Sequence, residues 1–138
     1  MKAKDFSDNV IVALDGSTEE ILWWARELKE HAQWVKIGMT NFYAEGPQLI
    51  RQIQEYGYHI FLDLKLHDIP HQVRGAAYQL GLLGVDMVTV HASGGSDMIA
   101  AAREGLIEGA NDAHKHTPKL LAVTVLTSLS DSTLHSLG

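Results

Sequence analysis

The sequence predicts an α/β protein built around a parallel sheet. Five short apolar segments rich in β-branched residues recur along the 138 residues, and segments with helical periodicity lie between them. Strands that alternate with helices of this length are typical of parallel βαβ units. Two architectures have this order: a five-stranded doubly wound sheet, and the first five strands of a (β/α)8 barrel. No linker or low-complexity tract interrupts the pattern, so residues 1–138 are predicted to form a single domain.

The strand predictions rest on apolar runs bounded by polar or turn-forming residues. In chain order these runs are NVIVALD (9–15), WVKIGM (34–39), HIFLDLKL (59–66), DMVTVHA (86–92) and KLLAVTVLTS (119–128). A helix is predicted after each of the first four strands. The fifth strand is followed only by LSDSTLHSLG, for which we predict no element.

The helix predictions rest on boundary signals. The helical segments are STEEILWWARELKEH (17–31), GPQLIRQIQEYG (46–57), IPHQVRGAAYQLGLLG (69–84) and SDMIAAAREGLIEGA (96–110). Ser17 and Glu20 predict a capping box at the start of the first helix. Pro70 is expected in the first turn of the third helix, where its missing N–H is tolerated. Ser96 is predicted to cap the fourth helix.

Composition and charge exclude several classes of function. The formal net charge is -6 and no basic run is present, so we expect no nucleic-acid binding. The absence of cysteine excludes disulfides and thiolate metal sites, and it is typical of a reducing cytosol. The N-terminal MKAKDFSDNV lacks the apolar core of a signal peptide, and no apolar run approaches the roughly 18 residues of a membrane span. We therefore expect a soluble cytoplasmic protein that does not enter a membrane.

Polar side chains collect toward the C-terminal ends of the predicted strands. Because side chains alternate between the faces of a strand, Asp63, Lys65 and His67 share one face of the third strand. The same rule places on that inner face Asp15 in the first strand, Lys36 in the second, Thr89 and His91 in the fourth, and Thr127 in the fifth. Since buried ions need partners, we expect one network of alternating charges at this edge. Its members are Asp15, Lys36, Asp63, Lys65 and Asp68.

A lysine held between carboxylates is suited to decarboxylation. Neighbouring negative charges keep the ammonium protonated, so it can stabilise a developing carbanion and then give it a proton. A carboxylate beside that lysine would repel a substrate carboxylate until carbon dioxide leaves. Asp63 and Lys65 therefore predict decarboxylation with protonation by Lys65. The HDIPH segment differs from the helical H-E-x-x-H zinc motif because Pro70 separates its histidines at a strand-to-helix turn, so we expect no metal site.

The segments VALD, VKIG, FLDLKLHDIP, VTVHASGG and LAVTVLTS, in this order, closely resemble the orotidine 5'-phosphate decarboxylase family. The resemblance covers essentially the whole chain. It implies a (β/α)8 TIM barrel that works as a homodimer without metal or organic cofactor. It also implies conversion of orotidine 5'-monophosphate to uridine 5'-monophosphate in de novo pyrimidine biosynthesis.

The resemblance assigns roles to matching residues within one subunit. It makes Lys65 the proton donor to C6 of the pyrimidine and Asp63 the carboxylate beside the leaving group. Lys36 would order the charge network and touch the ribose. Asp15, in ALD, would contact a ribose hydroxyl, and Thr127, in LTS, would contact the pyrimidine ring.

The resemblance also implies a site shared between subunits. Asp68 would reach into the partner's site, and Ile69 would line it. The sequence departs from the family in two places. His71 and Gln72 stand where the family usually has Asn-Thr, and the family's phosphate-binding arginine, glutamine and closing loop would lie beyond Gly138. We therefore expect an N-terminal portion of a barrel with five strands and four helices, an unpaired fifth-strand edge, and no activity in the isolated chain.

Two alternatives stay open on the sequence. One is a sugar-phosphate decarboxylase or aldolase of the same barrel superfamily, which shares the D-x-K-x-x-D spacing. Those relatives resemble this chain less in the second strand, where an acidic residue helps to hold magnesium and this chain has Lys36. The other is an inactive truncated fragment that only binds or assembles.

Overall fold

The computed structural model describes residues 9–136. Within that range, the strands are Ile11–Leu14 (β1), Trp34–Gly38 (β2), His59–Leu66 (β3), Met87–His91 (β4) and Lys119–Val123 (β5). The α-helices there are Thr18–Glu27 (α1), Met39–Glu45 (α2), Pro47–Gln54 (α3), Pro70–Leu83 (α4), Gly95–Asp112 (α5) and Asp131–Ser136 (α6). Residues 1–8, in the segment that argued against a signal peptide, and residues 137–138 lie outside the described part of the chain.

The order of the strands in the sheet distinguishes the two predicted architectures. The strands lie side by side in chain order, from β1 to β5, and every neighbouring pair is parallel. A doubly wound sheet reverses its direction of growth at a switch point, so its strands do not lie in simple chain order. A (β/α)8 barrel adds its strands consecutively. The described residues therefore form five strands of a TIM-barrel arrangement, as the resemblance implied.

The core lies between the sheet and its helices. On the outer face of the sheet, Val35, Ile37, Ile60 and Leu62 are fully buried. The alternate residues on the inner face are only partly buried, so the predicted alternation of faces along β2 and β3 is confirmed. No helix within residues 9–136 is both long and apolar enough to cross a lipid bilayer.

Three of the predicted helix starts are confirmed, those at Ser17, at Pro47, which is the first residue of α3, and at Pro70. Ser17 caps α1, its side chain accepts the N–H of Glu20, and the Glu20 carboxylate accepts the N–H of Ser17 at 2.8 Å. This reciprocal capping box satisfies N–H groups that have no partner within the helix. Pro70 is the first residue of α4. The sequence therefore predicts where the turn after β3 ends and α4 begins.

Other element boundaries differ from the prediction. Ser96 does not cap α5, because a 3-10 turn at Ala92–Gly94 runs directly into a helix that begins at Gly95. The short helices α2 and α6 were not predicted, since six or seven residues are too few to show a helical period. The fifth strand ends at Val123, whereas the prediction extended it to residue 128.

Helices α4 and α5 cross with their backbones close together. A Cβ atom on Gly105 would collide with the backbone oxygen of Arg74, and one on Gly109 would collide with the backbone oxygen of Tyr78. A Cβ on Gly81 would also meet backbone atoms of α5. Glycine is therefore required for this approach. Buried residues of both helices, such as Val73 and Leu106, belong to the same hydrophobic core as Leu62 of β3 and Val88 of β4.

Candidate active site

A bulge in β3 shapes the candidate site. Leu62 pairs with Val88 and Leu66 pairs with Val90, so four steps along β3 correspond to two steps along β4. Two extra residues of β3 are accommodated between these pairs. Lys65 lies in this segment with a φ of 51°, a left-handed conformation that is rare for a residue with a side chain. Bulges of this kind are common beside active sites, where they redirect side chains.

The bulge brings Lys65 back onto Asp63. The Lys65 Nζ donates to both carboxylate oxygens of Asp63 at 2.9 Å. The Thr89 hydroxyl, from β4, donates to Oδ1 of Asp63 at 2.7 Å and accepts the backbone N–H of Lys65 at 2.9 Å. The predicted proximity of Asp63 and Lys65 is confirmed, and both side chains are mostly buried. The ammonium group is consequently held in a defined place at the carboxyl edge of the sheet.

The surroundings of Asp63 keep it ionised. Burial alone raises the pKa of Asp63. Hydrogen bonds from Lys65 and Thr89, with the positive charges of Lys65 and Lys36, outweigh that effect and lower the pKa below its ordinary value. The site therefore holds a carboxylate anion next to an ammonium cation.

A second, looser pair lies on the neighbouring strands. The Lys36 Nζ, from β2, is 3.8 Å from Oδ1 of Asp15, which follows β1 and is largely exposed. A Cβ atom on Gly38 would lie 3.7 Å from that same oxygen and 3.9 Å from the Lys36 Nζ. A side chain at position 38 would therefore be in van der Waals contact with both members of the pair. Four of the five predicted network members are brought to one edge of the sheet, with Lys36 linking Asp15 to Asp63 electrostatically.

Asp68 is placed differently from the other predicted network members. It is exposed in the turn before α4, and its Oδ1 accepts the backbone N–H of Ile69 at 2.6 Å. Among the residues that the structure describes, it forms no ion pair. Ile69 beside it is 64% exposed. Within the described residues, Asp68 therefore lies apart from the other four network members, and its predicted role in a network shared with a partner subunit stays a prediction.

Thr127 is not on a strand face. It lies exposed in a turn after β5, so its predicted alignment with Val123 and Val125 along one strand is wrong. The reason is that LAVTVLTS continues the apolar alternation past the last residue that pairs with β4, His91 with Val123. Its predicted contact with a pyrimidine ring stays a prediction.

An open cavity of about 560 Å³ lies at the carboxyl edge of β3 and β4. The rings of His67 and His91 face each other beside it, with centroids 5.1 Å apart. Its lining consists of His67, Asp68, Ile69, Pro70, Ser93 and Gly94. Across residues 9–136, no three His, Asp or Glu side chains converge in a way that could hold a metal ion.

The main functional candidate that sequence reasoning missed is Thr89. The alternation rule placed it on the inner face, but no role followed, because the bulge that brings it to Asp63 leaves no trace in the hydrophobic pattern. A signal was nevertheless present. Thr89 lies between the buried residues Val88 and Val90, where a hydroxyl needs a hydrogen-bonding partner.

Comparisons with known proteins identify the family of this chain. The family model described as Orotidine 5'-phosphate decarboxylase / HUMPS family matches residues 8–137. The orotidine 5'-phosphate decarboxylase of Lactobacillus delbrueckii subsp. bulgaricus is 52% identical over 127 residues, which cover 91% of this chain and 52% of that protein. The protein of the same name from Enterococcus faecalis is 48% identical over 130 residues, covering 93% of this chain and 54% of the relative.

A solved structure gives the same result. The crystal structure of orotidine 5'-phosphate decarboxylase from Lactobacillus acidophilus matches with a TM-score of 0.81 and 47% identity, over 93% of this chain and 58% of that one. This chain spans about half the length of the curated relatives that it matches. The family match over nearly all its residues and the consecutive parallel strands lead to one conclusion: the chain belongs to the orotidine 5'-phosphate decarboxylase / HUMPS family.

Proposed function

We propose that this chain carries the reacting centre of an orotidine 5'-monophosphate decarboxylase, a carbon-carbon lyase that forms uridine 5'-monophosphate. The observation that carries the proposal is the bidentate contact between Lys65 and Asp63, in a chain of this family, with Lys36 close enough to help keep the carboxylate ionised. We assign Lys65 as the proton donor and Asp63 as the carboxylate beside the leaving group.

Asp63 acts on the substrate before the carbon-carbon bond breaks, and Lys65 acts on the carbanion that this step forms. The Asp63 anion repels the substrate carboxylate in the ground state, and loss of carbon dioxide removes that repulsion. The electrons of the broken bond stay on C6 of the pyrimidine. The Lys65 ammonium stabilises this charge as it develops and then transfers a proton from Nζ to C6. Lys65 is left neutral and regains a proton from solvent.

The remaining residues of the edge are assigned to binding. Lys36 and Asp15, 3.8 Å apart, are in place to contact ribose hydroxyls. Thr127 is assigned to the pyrimidine ring from the turn after β5. No metal or organic cofactor takes part in this proposal. The ammonium group of Lys65, held next to a fixed anion, supplies the electrostatic stabilisation that such a reaction requires.

The site is proposed to be completed by a second subunit and by further barrel strands. Asp68 and the exposed Ile69 project from the turn before α4, where they can reach the neighbouring site of a homodimer. His71 and Gln72 are exposed in the following helix, where they can meet the same partner. Residues 1–138 are then the N-terminal portion of a cytoplasmic barrel enzyme. Taken alone they are expected to be inactive, because remote phosphate binding helps to organise such a site.

The proposed role of Lys65 is tested in a completed barrel. Residues 1–138 are fused to the part of the Lactobacillus delbrueckii enzyme that they do not match. Decarboxylation is followed by the ultraviolet absorbance change of orotidine 5'-monophosphate. Lys65→Ala is expected to lower kcat by on the order of 10²–10⁴-fold or more, the contribution of a positioned proton donor and charge. Near-normal turnover by this variant would remove Lys65 from the mechanism.

Lys119→Ala provides the matched control. Lys119 starts β5 at the opposite edge of the sheet, with its Nζ 5.8 Å from the centroid of the Trp34 ring. Removing this charge changes the composition of the protein as Lys65→Ala does, but away from the proposed chemistry. We expect its kcat to stay within about twofold of that of the unaltered chimera, because Lys119 is exposed at the N-terminal end of its strand, away from the carboxyl edge that carries the proposed site.

A further inference from the structure

We propose that Thr89 is a positioning residue that fixes both members of the reacting pair, the backbone of Lys65 and the carboxylate of Asp63. The catalytic meaning of this inference rests on the function proposed above, but the contacts themselves do not. Thr89 lies on β4, so it couples two strands at the point where their regular pairing is interrupted.

The bulge creates the need for such a residue. In a regular parallel ladder, the N–H of Lys65 would donate to a carbonyl oxygen of the neighbouring strand. The register shift between Leu62 and Leu66 interrupts that pattern, and the N–H donates to the Thr89 hydroxyl at 2.9 Å instead. A backbone N–H without a partner at a mostly buried position would be costly. Thr89 therefore allows Lys65 to keep its left-handed conformation.

The direction of both hydrogen bonds is fixed by chemistry. A backbone N–H can only donate, so the Thr89 oxygen must accept from Lys65. The single hydroxyl proton is then free for Asp63, whose ionised carboxylate can only accept, and that contact is 2.7 Å long. Both capacities of the hydroxyl are used at once. The carboxylate position and the backbone of Lys65 are thereby tied to one rigid strand.

The burial of Thr89 indicates that its hydroxyl group, and not its packing alone, matters at this position. The residue is 3% exposed, between buried valines, so valine would satisfy the packing of this strand position equally well. The hydroxyl is thus the part of the side chain that the site requires. The charged groups that act on Asp63 are Lys65 from β3 and Lys36 from β2. Thr89 adds a neutral donor from β4, on the third strand of the site.

The test compares Thr89→Val, which keeps the shape, with Thr89→Ser, which keeps the hydroxyl. The 138-residue protein is labelled with ¹³C, and the side-chain carboxyl carbon of Asp63 is followed by NMR during an acid titration. Thr89→Val is expected to raise the pKa of Asp63, because a hydrogen bond that stabilises the anion is lost. Thr89→Ser is expected to restore the unaltered pKa. An unchanged pKa in Thr89→Val overturns the proposal.

The unaltered protein provides a second measurement that does not depend on the folding of a variant. The Cβ resonance of Thr89 is expected to titrate with the same midpoint as the carboxyl carbon of Asp63, since the two groups share a proton contact. A Thr89 resonance that does not respond over this titration overturns the proposal, whatever the behaviour of Thr89→Val.

An activity measurement separates this inference from the proposed function. In the fused barrel, Thr89→Val is expected to lower kcat about tenfold, as loss of one hydrogen bond in the reacting centre would, and to change KM little. Thr89→Ser is expected to recover most of kcat. A variant that changes only KM and leaves kcat unaltered contradicts a positioning role. If the unaltered fused barrel itself is inactive, the proposed function fails, while the NMR titration still decides the role of Thr89.

Discussion

Asp63 carries its charge in a mostly buried position because Lys65 and Thr89 donate hydrogen bonds to it and Lys36 adds a second positive charge nearby. Lys65 was predicted to meet Asp63 from a simple count of alternate strand positions, and the two side chains do meet. Regular alternation does not fully explain this contact, because Lys65 lies in a bulge with a φ of 51°. Thr89 escaped prediction for the same reason. A bulge depends on how two strands pair, and one strand's sequence does not contain that information.

The lowered pKa of Asp63 makes part of the stability depend on pH. A carboxylate whose pKa is lower in the folded state stabilises that state fully above its ordinary pKa in the unfolded chain. This contribution is lost as the pH falls through the lowered folded value. We therefore expect the free-energy difference of unfolding between the unaltered protein and Asp63→Asn to be constant near neutrality and to shrink below about pH 4.

Urea unfolding at a series of pH values measures this difference. If Asp63 is held ionised as described, the unaltered protein loses stability on acidification faster than Asp63→Asn does. A difference that stays constant down to strongly acidic pH, or that widens, contradicts the account of the Asp63 environment.

The sequence predicted the centres of helices and strands better than their ends. The strands β2, β3 and β4 and the helices α1 and α4 lie where apolar patterns and capping residues placed them. β5 ends early because its last apolar residues have no paired neighbour to extend the ladder. α2 follows β2 without a loop, with Gly38 at its N-cap position, so the expected separation between strand and helix is absent.

The α4–α5 crossing gives a stability prediction. Gly109→Ala would place a Cβ against the backbone oxygen of Tyr78, and backbone atoms cannot move aside as a flexible side chain can. We expect a loss of about 1–3 kcal/mol in the free energy of unfolding, the usual range for overpacking. Chemical denaturation measures it directly.

Gly75→Ala is the matched control on the same pair of helices. Gly75 is exposed within α4, and a Cβ there would meet nothing within 4 Å. Alanine has a higher helix propensity than glycine, so this variant is expected to gain up to about 1 kcal/mol. Equal effects of the two substitutions would show that helix propensity, and not close packing, governs this crossing.

For the whole molecule, the strand order carried the information that local patterns lacked. Alternating strands and helices predicted a parallel sheet but left two architectures open, since both place polar residues at the carboxyl edge. The resemblance of FLDLKLHDIP and its companion segments favoured the barrel, and the order from β1 to β5 confirms it. The contact of Asp68 with the backbone N–H of Ile69 could not be predicted from the sequence, because it depends on the path of the turn between β3 and α4.

Apolar residues on the inner face of the sheet are exposed at both of its edge strands. Ile11 on β1 and Leu121 on β5 are 39% and 43% exposed at the two edges of the sheet. In a closed barrel, inward-facing residues fill the interior in layers. The part of the chain that the structure describes therefore presents the surface that further barrel strands would cover. This is why the proposed function is best measured in a completed barrel.

The substrate choice of that fused barrel tests the proposed decarboxylation most directly. Residues 1–138, joined to the remainder of the Lactobacillus delbrueckii enzyme, are assayed with orotidine 5'-monophosphate and with a β-keto sugar phosphate, each with and without a chelator of divalent cations. We expect decarboxylation of orotidine 5'-monophosphate that the chelator does not affect, and no decarboxylation by the enzyme remainder alone. A folded fused protein that leaves this nucleotide unchanged, or that instead turns over the sugar phosphate in a magnesium-dependent way, would contradict it.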